Sequence, residues 1–243
     1  MNYWEKTITL RSGECDMNGK WRPGAMLVEL QEAAGEHSTS IGCGRETLVL
    51  EGIVWVVVRM EIQMNRYPCF GERVTIRTFH RPTRHRFFPR YFQMWDEKGE
   101  LLGVGSSLWL LMDLESRQSV SADRLPVPLP DNSDMPEPLP LPGGVKAVAG
   151  EEKIIPISAV YTDLDVNGHV NNTRYADWLC NALGVQSMTA HPIRQLLIHF
   201  DHEIRPEQQV TLHLRQEGLQ YQMTGTHDGQ TAFEIGGTLM EQA

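Results

Sequence analysis

Positive charge is in short supply in this chain of 243 residues: 22 lysines and arginines face 31 aspartates and glutamates, a formal net charge of -9. Nucleic acid is therefore excluded as a principal partner, because phosphates call for a cationic surface. Cysteine is also sparse. Cys15, Cys43, Cys69 and Cys180 are scattered, with no Cys-x-x-Cys pair and no third histidine or cysteine at metal-ligand spacing. Free thiols in a reducing cytoplasm and no metal site are the expectation. No apolar run approaches the roughly 18 residues of a membrane span. The start, Met1-Asn-Tyr-Trp-Glu-Lys6, lacks the cationic and apolar stretches of a secretion signal. Ser106-Ser107 lacks the glycine elbow of serine hydrolases, and the expectation for cofactors is none.

Proline, in contrast, is concentrated. Seven of fourteen prolines lie between Pro126 and Pro142. Such a stretch fits neither a helix nor a central strand, so it reads as an extended connector. It splits the chain into segments 1–125 and 151–243, joined by 126–150. The two segments echo each other. Asp16-Met-Asn-Gly-Lys20 answers Asp165-Val-Asn-Gly-His169, Val74-Thr-Ile76 answers Val210-Thr-Leu212, and Gln93-Met94 answers Gln222-Met223. The order is kept while the offset shrinks, as in a duplication whose first copy has longer loops.

Each segment also has one helix followed by strands. Tyr175, Trp178, Leu179, Ala182 and Leu183 share one helical face, with Asn172 or Thr173 as cap and Gly184 as stop. Met26, Leu27, Leu30, Ala33 and Ala34 form a broader face after Pro23. Strands are predicted at 53–59, 73–79, 88–95 and 101–112, then at 195–200, 209–216, 219–226 and 231–240. Asp96–Gly99 and Thr226–Gly229 read as hairpin turns. One helix against an antiparallel sheet, made twice, is an α+β design.

The most chemically loaded segment is Asp163-Leu-Asp-Val-Asn-Gly-His-Val-Asn-Asn172, with two carboxylates, three carboxamides and one imidazole. A polar loop and helix cap has the same composition. A base, a proton carrier and amide donors are also what water needs to attack a carbonyl. Together with Trp55-Val-Val-Val-Arg-Met60, Tyr67-Pro-Cys-Phe-Gly-Glu-Arg-Val74 and Ser106-Ser-Leu-Trp-Leu-Leu-Met-Asp113, followed by Arg117 and Pro126, it resembles the acyl-acyl-carrier-protein thioesterases of plants and bacteria. That resemblance implies a tandem hotdog, each half a sheet wrapped around a long helix. It implies a thioester hydrolase of fatty acid biosynthesis, with Asp165, Asn167 and His169 as catalytic residues. The family places a catalytic glutamate about 34 residues past the histidine, and that position here is Glu203. Periodicity alone would not select Glu203, which shares a strand face with His199 and Asp201. A cysteine once proposed after that glutamate is Ile204 here, which removes a thiol mechanism at that position. Lys20 stands where His169 stands in the second copy, so only the second copy keeps an imidazole.

The resemblance also places the acyl chain in the first half, against Met26, Leu27, Leu30 and the strand around Trp55; a plain core contains the same residues. Arg77, Arg81, Arg84, Arg86 and Arg90 fall within fourteen residues. They read either as a solvated strand edge or as a docking patch, centred on Arg84 and Arg86, for an acidic acyl carrier protein with its phosphopantetheine-linked chain. A hotdog enzyme acting on acyl-coenzyme A and a non-catalytic acyl-binding module are the alternatives. Monomer and homodimer are both compatible with a duplicated chain.

Overall fold

The computed structural model describes residues 2–241. The N-terminal half contains β1 (Trp4–Thr9), α1 (Pro23–Ser40), α2 (Arg45–Leu50), β2 (Ile53–Met64), β3 (Arg73–His80), β4 (Phe88–Asp96), β5 (Leu101–Asp113) and the two-residue β6 (Ser119–Val120). The C-terminal half contains β7 (Glu152–Ser158), α3 (Arg174–Leu183), α4 (Val185–Ala190), β8 (Ile193–Phe200), β9 (Gln209–Glu217), β10 (Gln220–His227) and β11 (Gln230–Leu239).

The strands form one antiparallel sheet in the order β1-β3-β4-β5-β2-β8-β11-β10-β9-β7, with β6 set against β5. That order is a palindrome about the β2–β8 junction, where Arg59 pairs with His199 and Gln63 with Gln195. The duplication is thus a pseudo-twofold axis through the sheet, and the α+β tandem hotdog is the fold. Helices α1 and α3 cover the concave face. Met26, Leu27, Leu30 and Ala33 of α1 and Tyr175, Leu179 and Ala182 of α3 pack into one core with Met60, Met94, Phe233 and Ile235. Tyr175 stacks on Phe233 with ring centroids 4.2 Å apart. Gly225 makes this possible, since a Cβ there would lie 2.1 Å from the Phe233 ring.

Strands β1 and β7 were not expected. Both are sheet-edge strands with half-buried faces, so apolar runs do not betray them. Strand β2 also runs past Arg59 to Met64 because Arg59, Glu61 and Gln63 fall on the outer face while Met60, Ile62 and Met64 enter the core. A register shift between Val57 and Arg59 breaks the alternation that periodicity reads.

The proline-rich segment crosses the outer face of the sheet. Asn132 Nδ2 donates to the His80 carbonyl, Ser106 Oγ to the Pro140 carbonyl and Arg215 Nη1 to the Gly150 carbonyl. His199 Nε2 lies 2.7 Å from the Gly143 carbonyl. The strap therefore passes β3, β5, β8 and β9 in spatial order. Arg81 anchors its start: Nη1 donates to the carbonyls of Asn132, Ser133 and Met135 at 2.8, 2.8 and 2.5 Å. Hydrogen bonds from a charged donor contribute more than neutral ones. Arg81→Met is expected to cost about 2 kcal/mol of stability and to speed proteolysis within residues 126–142. Limited digestion and thermal melting check this, and an unchanged cleavage rate would show that the prolines alone hold the strap.

Candidate active site

The polar segment ahead of α3 is a tight loop clamped at its neck by the Leu164–Val170 bridge. Asp165 N donates to the His169 carbonyl at 2.9 Å, and Gly168 N donates to the Asp165 carbonyl at 3.0 Å. Gly168 takes φ +77°, where a side chain is strained. Both Asp165 carboxylate oxygens are occupied by Asn167: Oδ1 accepts from its backbone N–H at 2.8 Å and Oδ2 from its Nδ2 at 3.2 Å.

The first-half loop is built the same way. Asp16 N donates to the Lys20 carbonyl at 2.8 Å, Gly19 N to the Asp16 carbonyl at 3.0 Å, and Asn18 N to Asp16 Oδ1 at 2.8 Å. The Asp-x-Asn-Gly string is therefore a turn-forming device in both copies. What differs is the chemistry mounted on it. Val170 N donates to the Ile204 carbonyl at 2.8 Å, and Trp21 N to the Pro68 carbonyl at 2.9 Å. By these matched bonds Glu203 and His169 of the second half correspond to Tyr67 and Lys20 of the first, where Tyr67 lies in the core and Lys20 pairs with Cys69.

His169 Nε2 lies 3.3 Å from Glu203 Oε2. A carboxylate only accepts, so a neutral ring suits this contact with its proton on Nε2 and its lone pair on Nδ1. Two arginines of the N-terminal half complete the site. Arg117 Nη2 lies 2.5 Å from Glu203 Oε1, and Arg45 Nη2 donates to Asn167 Oδ1 at 3.1 Å. Neither contact is readable from spacing, because 86 and 122 residues separate the partners. Arg117 carried only the weak signal of following the Leu-Leu-Met-Asp113 string, and Arg45 carried none. Beneath the site, burial raises the Tyr175 hydroxyl above its usual range, and the charges of Glu203 and Asp165 add to the rise.

The amides expected at the start of α3 are largely spent. Val170 N is bonded to Ile204, Asn171 N donates to Asp163 at 2.8 Å, and Arg174 N donates to Asn171 at 2.9 Å. Thr173 is the N-cap residue, as expected, but its side chain makes no cap bond; its N–H and Oγ1 donate to Asn171 Oδ1 at 2.9 and 2.8 Å. Within residues 170–174, Asn172 alone has an N–H with no acceptor in the described chain.

The other candidates are dispersed. Met26, Leu27 and Leu30 are fully packed in the main core. Trp55 belongs instead to a satellite cluster with Leu48, Ile53, Phe88 and Leu111. The five arginines are not one patch. Arg77 pairs with Glu5, Arg81 holds the strap, and Arg84 pairs with Glu137 at 2.9 Å. Arg90 is buried, donating to His37, Thr78, Ser38 and His80. Arg86 is exposed, and its Nη1 donates to Ser119 Oγ at 3.0 Å, two residues past Arg117. Among the described residues no group of three or more His, Cys, Asp or Glu is placed to hold a metal ion.

Models of the acyl-ACP thioesterase N-terminal domain and C-terminal domain match residues 2–124 and 147–239. The chain belongs to the acyl-ACP thioesterase family. An oleoyl-acyl carrier protein thioesterase of Arabidopsis thaliana is 25% identical over 85% of this chain and 62% of its own length. An acyl-[acyl-carrier-protein] hydrolase of Cuphea viscosissima is 22% identical, over 82% of this chain and 52% of its own. The chain thus spans little more than half the length of these curated relatives, which are named as chloroplastic. The crystal structure of an acyl-ACP thioesterase from Bacteroides thetaiotaomicron superposes with a TM-score of 0.89 at 20% identity, covering 98% of both chains. A 12:0-ACP thioesterase from Umbellularia californica gives 0.80 at 19% identity, over 99% of this chain and 98% of that one. At these identities the superpositions establish the fold.

Burial, with the Asp177 charge adding to it, pushes the Cys180 thiol up to about 12. Burial likewise raises Cys43, while Cys69 is exposed. Iodoacetamide at neutral pH is expected to alkylate Cys69 and spare Cys43 and Cys180, as peptide mapping will show. Modification of Cys180 in the folded protein would refute its packing against the core.

Proposed function

We propose that the protein hydrolyses acyl thioesters carried on acyl carrier protein, releasing a free fatty acid and the carrier thiol in fatty acid biosynthesis. The observation that carries this reading is the His169–Glu203 contact, mounted on a loop whose first-half twin has lysine and tyrosine instead. A turn needs neither an imidazole nor a facing carboxylate; a hydrolytic site needs both.

In this reading His169 Nδ1 removes a proton from water as the oxygen attacks the thioester carbonyl. Glu203 holds the ring and stabilises the imidazolium that forms. The oxyanion of the tetrahedral intermediate is taken by the free N–H of Asn172, at the positive end of α3. Collapse of the intermediate breaks the carbon–sulfur bond, and the imidazolium returns its proton to the leaving thiolate. Asp165 holds Asn167, and Asn167 orients the water. The acyl chain is placed along the satellite cluster around Trp55, since α2 bears both Leu48 of that cluster and Arg45 of the site. The chain is read as two hotdog units, 1–125 and 151–243, with 126–150 as the strap.

For the carrier, Arg86 is favoured over Arg84, whose charge Glu137 already neutralises. Arg45 and Arg86 make only neutral hydrogen bonds among the described residues, so on an acidic protein they offer an acidic carrier a local landing surface. Four free cysteines support a reducing compartment, for which the cytoplasm is our reading. No helix among the described residues is long and apolar enough to cross a membrane.

His169→Ala is expected to lower kcat by roughly 10²–10⁴-fold in a thiol-release assay with an acyl-carrier substrate, with the fold unchanged by circular dichroism. Full activity in that variant removes His169 as the base, and absence of thiol release by the unaltered protein leaves an acyl-binding module. Arg86→Glu is expected to raise KM several-fold for the carrier-borne acyl group but not for the same acyl group on coenzyme A. Equal effects on both substrates discard the carrier surface.

A further inference from the structure

Glu203 is the most exposed member of the candidate dyad, and an exposed glutamate samples several rotamers. Here it is pinned at both oxygens: Oε2 to His169 at 3.3 Å and Oε1 to Arg117 at 2.5 Å. We propose that Arg117 is a positioning residue of the hydrolytic site, supplied by the N-terminal half to lock one oxygen of Glu203 and so aim the other at His169. This deepens the hydrolytic reading above and rests on it.

The turn that carries Arg117 is built for fixity. Arg117 has φ +58°, a region that side chains disfavour. It is held there because Arg117 N donates to the Asp113 carbonyl and Asp113 N to the Gln118 carbonyl, both at 3.0 Å. Asp113 Oδ1 accepts from Ser116 N at 2.9 Å and from Ser116 Oγ at 2.9 Å. Arg124 closes on Asp113 Oδ2 at 3.5 Å, and Arg86 holds Ser119. A strained conformation kept by this many bonds, at a place where the first half reaches Glu203, is better explained by a positional requirement than by a surface ion pair. An exposed pair contributes little stability by itself.

The chemical need is plain. Glu203 can orient an imidazole only if its carboxylate plane is fixed, and a single contact to the ring leaves that plane free to turn. A guanidinium on the second oxygen removes that freedom. It also offsets the carboxylate's charge while the ring is neutral. The remaining polar neighbours cannot substitute. Asp165 carries the wrong sign, Arg45 is committed to Asn167, and Tyr175 lies buried beneath.

The test uses the full chain, with an acyl-carrier substrate and thiol release. Arg117→Ala is expected to lower kcat by roughly 10–100-fold with KM changed less than about twofold and an unchanged melting midpoint. Added methylguanidinium, below denaturing concentration, should restore part of kcat, because the vacated position is open to solvent. In a Glu203→Gln background the same substitution should produce no further loss, since the two residues act as one unit. Three results overturn the proposal: equal losses in both backgrounds, a rise in KM with kcat kept, or a loss explained by a lowered melting midpoint and not rescued by methylguanidinium. His169→Ala separates the levels. Hydrolysis that survives it sinks the His169–Glu203 site on which this inference rests, whereas an inactive His169→Ala beside an unimpaired Arg117→Ala sinks only this inference.

Discussion

The antiparallel seam between β2 and β8 is the constraint on which the rest of the molecule depends. It joins two half-sheets into one and sets the halves about a pseudo-twofold axis, with Met60 opposite Ile198 and Ile62 opposite Leu196. Those pairs enter the common core beneath both helices. Because β8 leads directly to Glu203 and β2 follows directly from α2, the same seam brings an arginine of one half to a polar side chain of the other. The site is therefore a product of the interface between the halves. Neither half alone contains it.

Duplication followed by chemical divergence accounts for the rest. Two loops share their turn hydrogen bonds down to the Asx contact, Asn18 N to Asp16 Oδ1 and Asn167 N to Asp165 Oδ1, each at 2.8 Å. The carboxylate and amide of the string are thus first of all architectural. The imidazole and the facing glutamate distinguish the second copy from the first. In the first copy, Tyr67 is buried and its hydroxyl lacks a hydrogen-bond partner among the described residues, which costs stability.

What could be read before folding was local. The face of α3, its stop at Gly184 and the two hairpins depend on residues a few positions apart, and the structure places them where periodicity and turn chemistry did. Strands β1 and β7 were hidden because a half-buried edge strand has no apolar run to announce it. The arginine cluster misled for a related reason. Closeness along a strand puts alternate side chains on opposite faces, so Arg90 enters the core while Arg77 binds Glu5 outside. Arg45 and Arg117 were invisible for the opposite reason, since their partners lie a whole domain away in sequence.

The strap has a further effect on how copies of this chain can meet. Bare sheets pack back to back at about 10 Å through their exposed faces. Here the convex surface is overlaid by the linker, and the concave one is filled by α1 and α3. Free backbone hydrogen-bonding capacity is left at the rims, β1 and β7. Glu5 and Lys6 guard one rim, and Glu152, Lys153 and Pro156 guard the other. The tether that joins the two halves thereby also serves as a cover for part of the sheet.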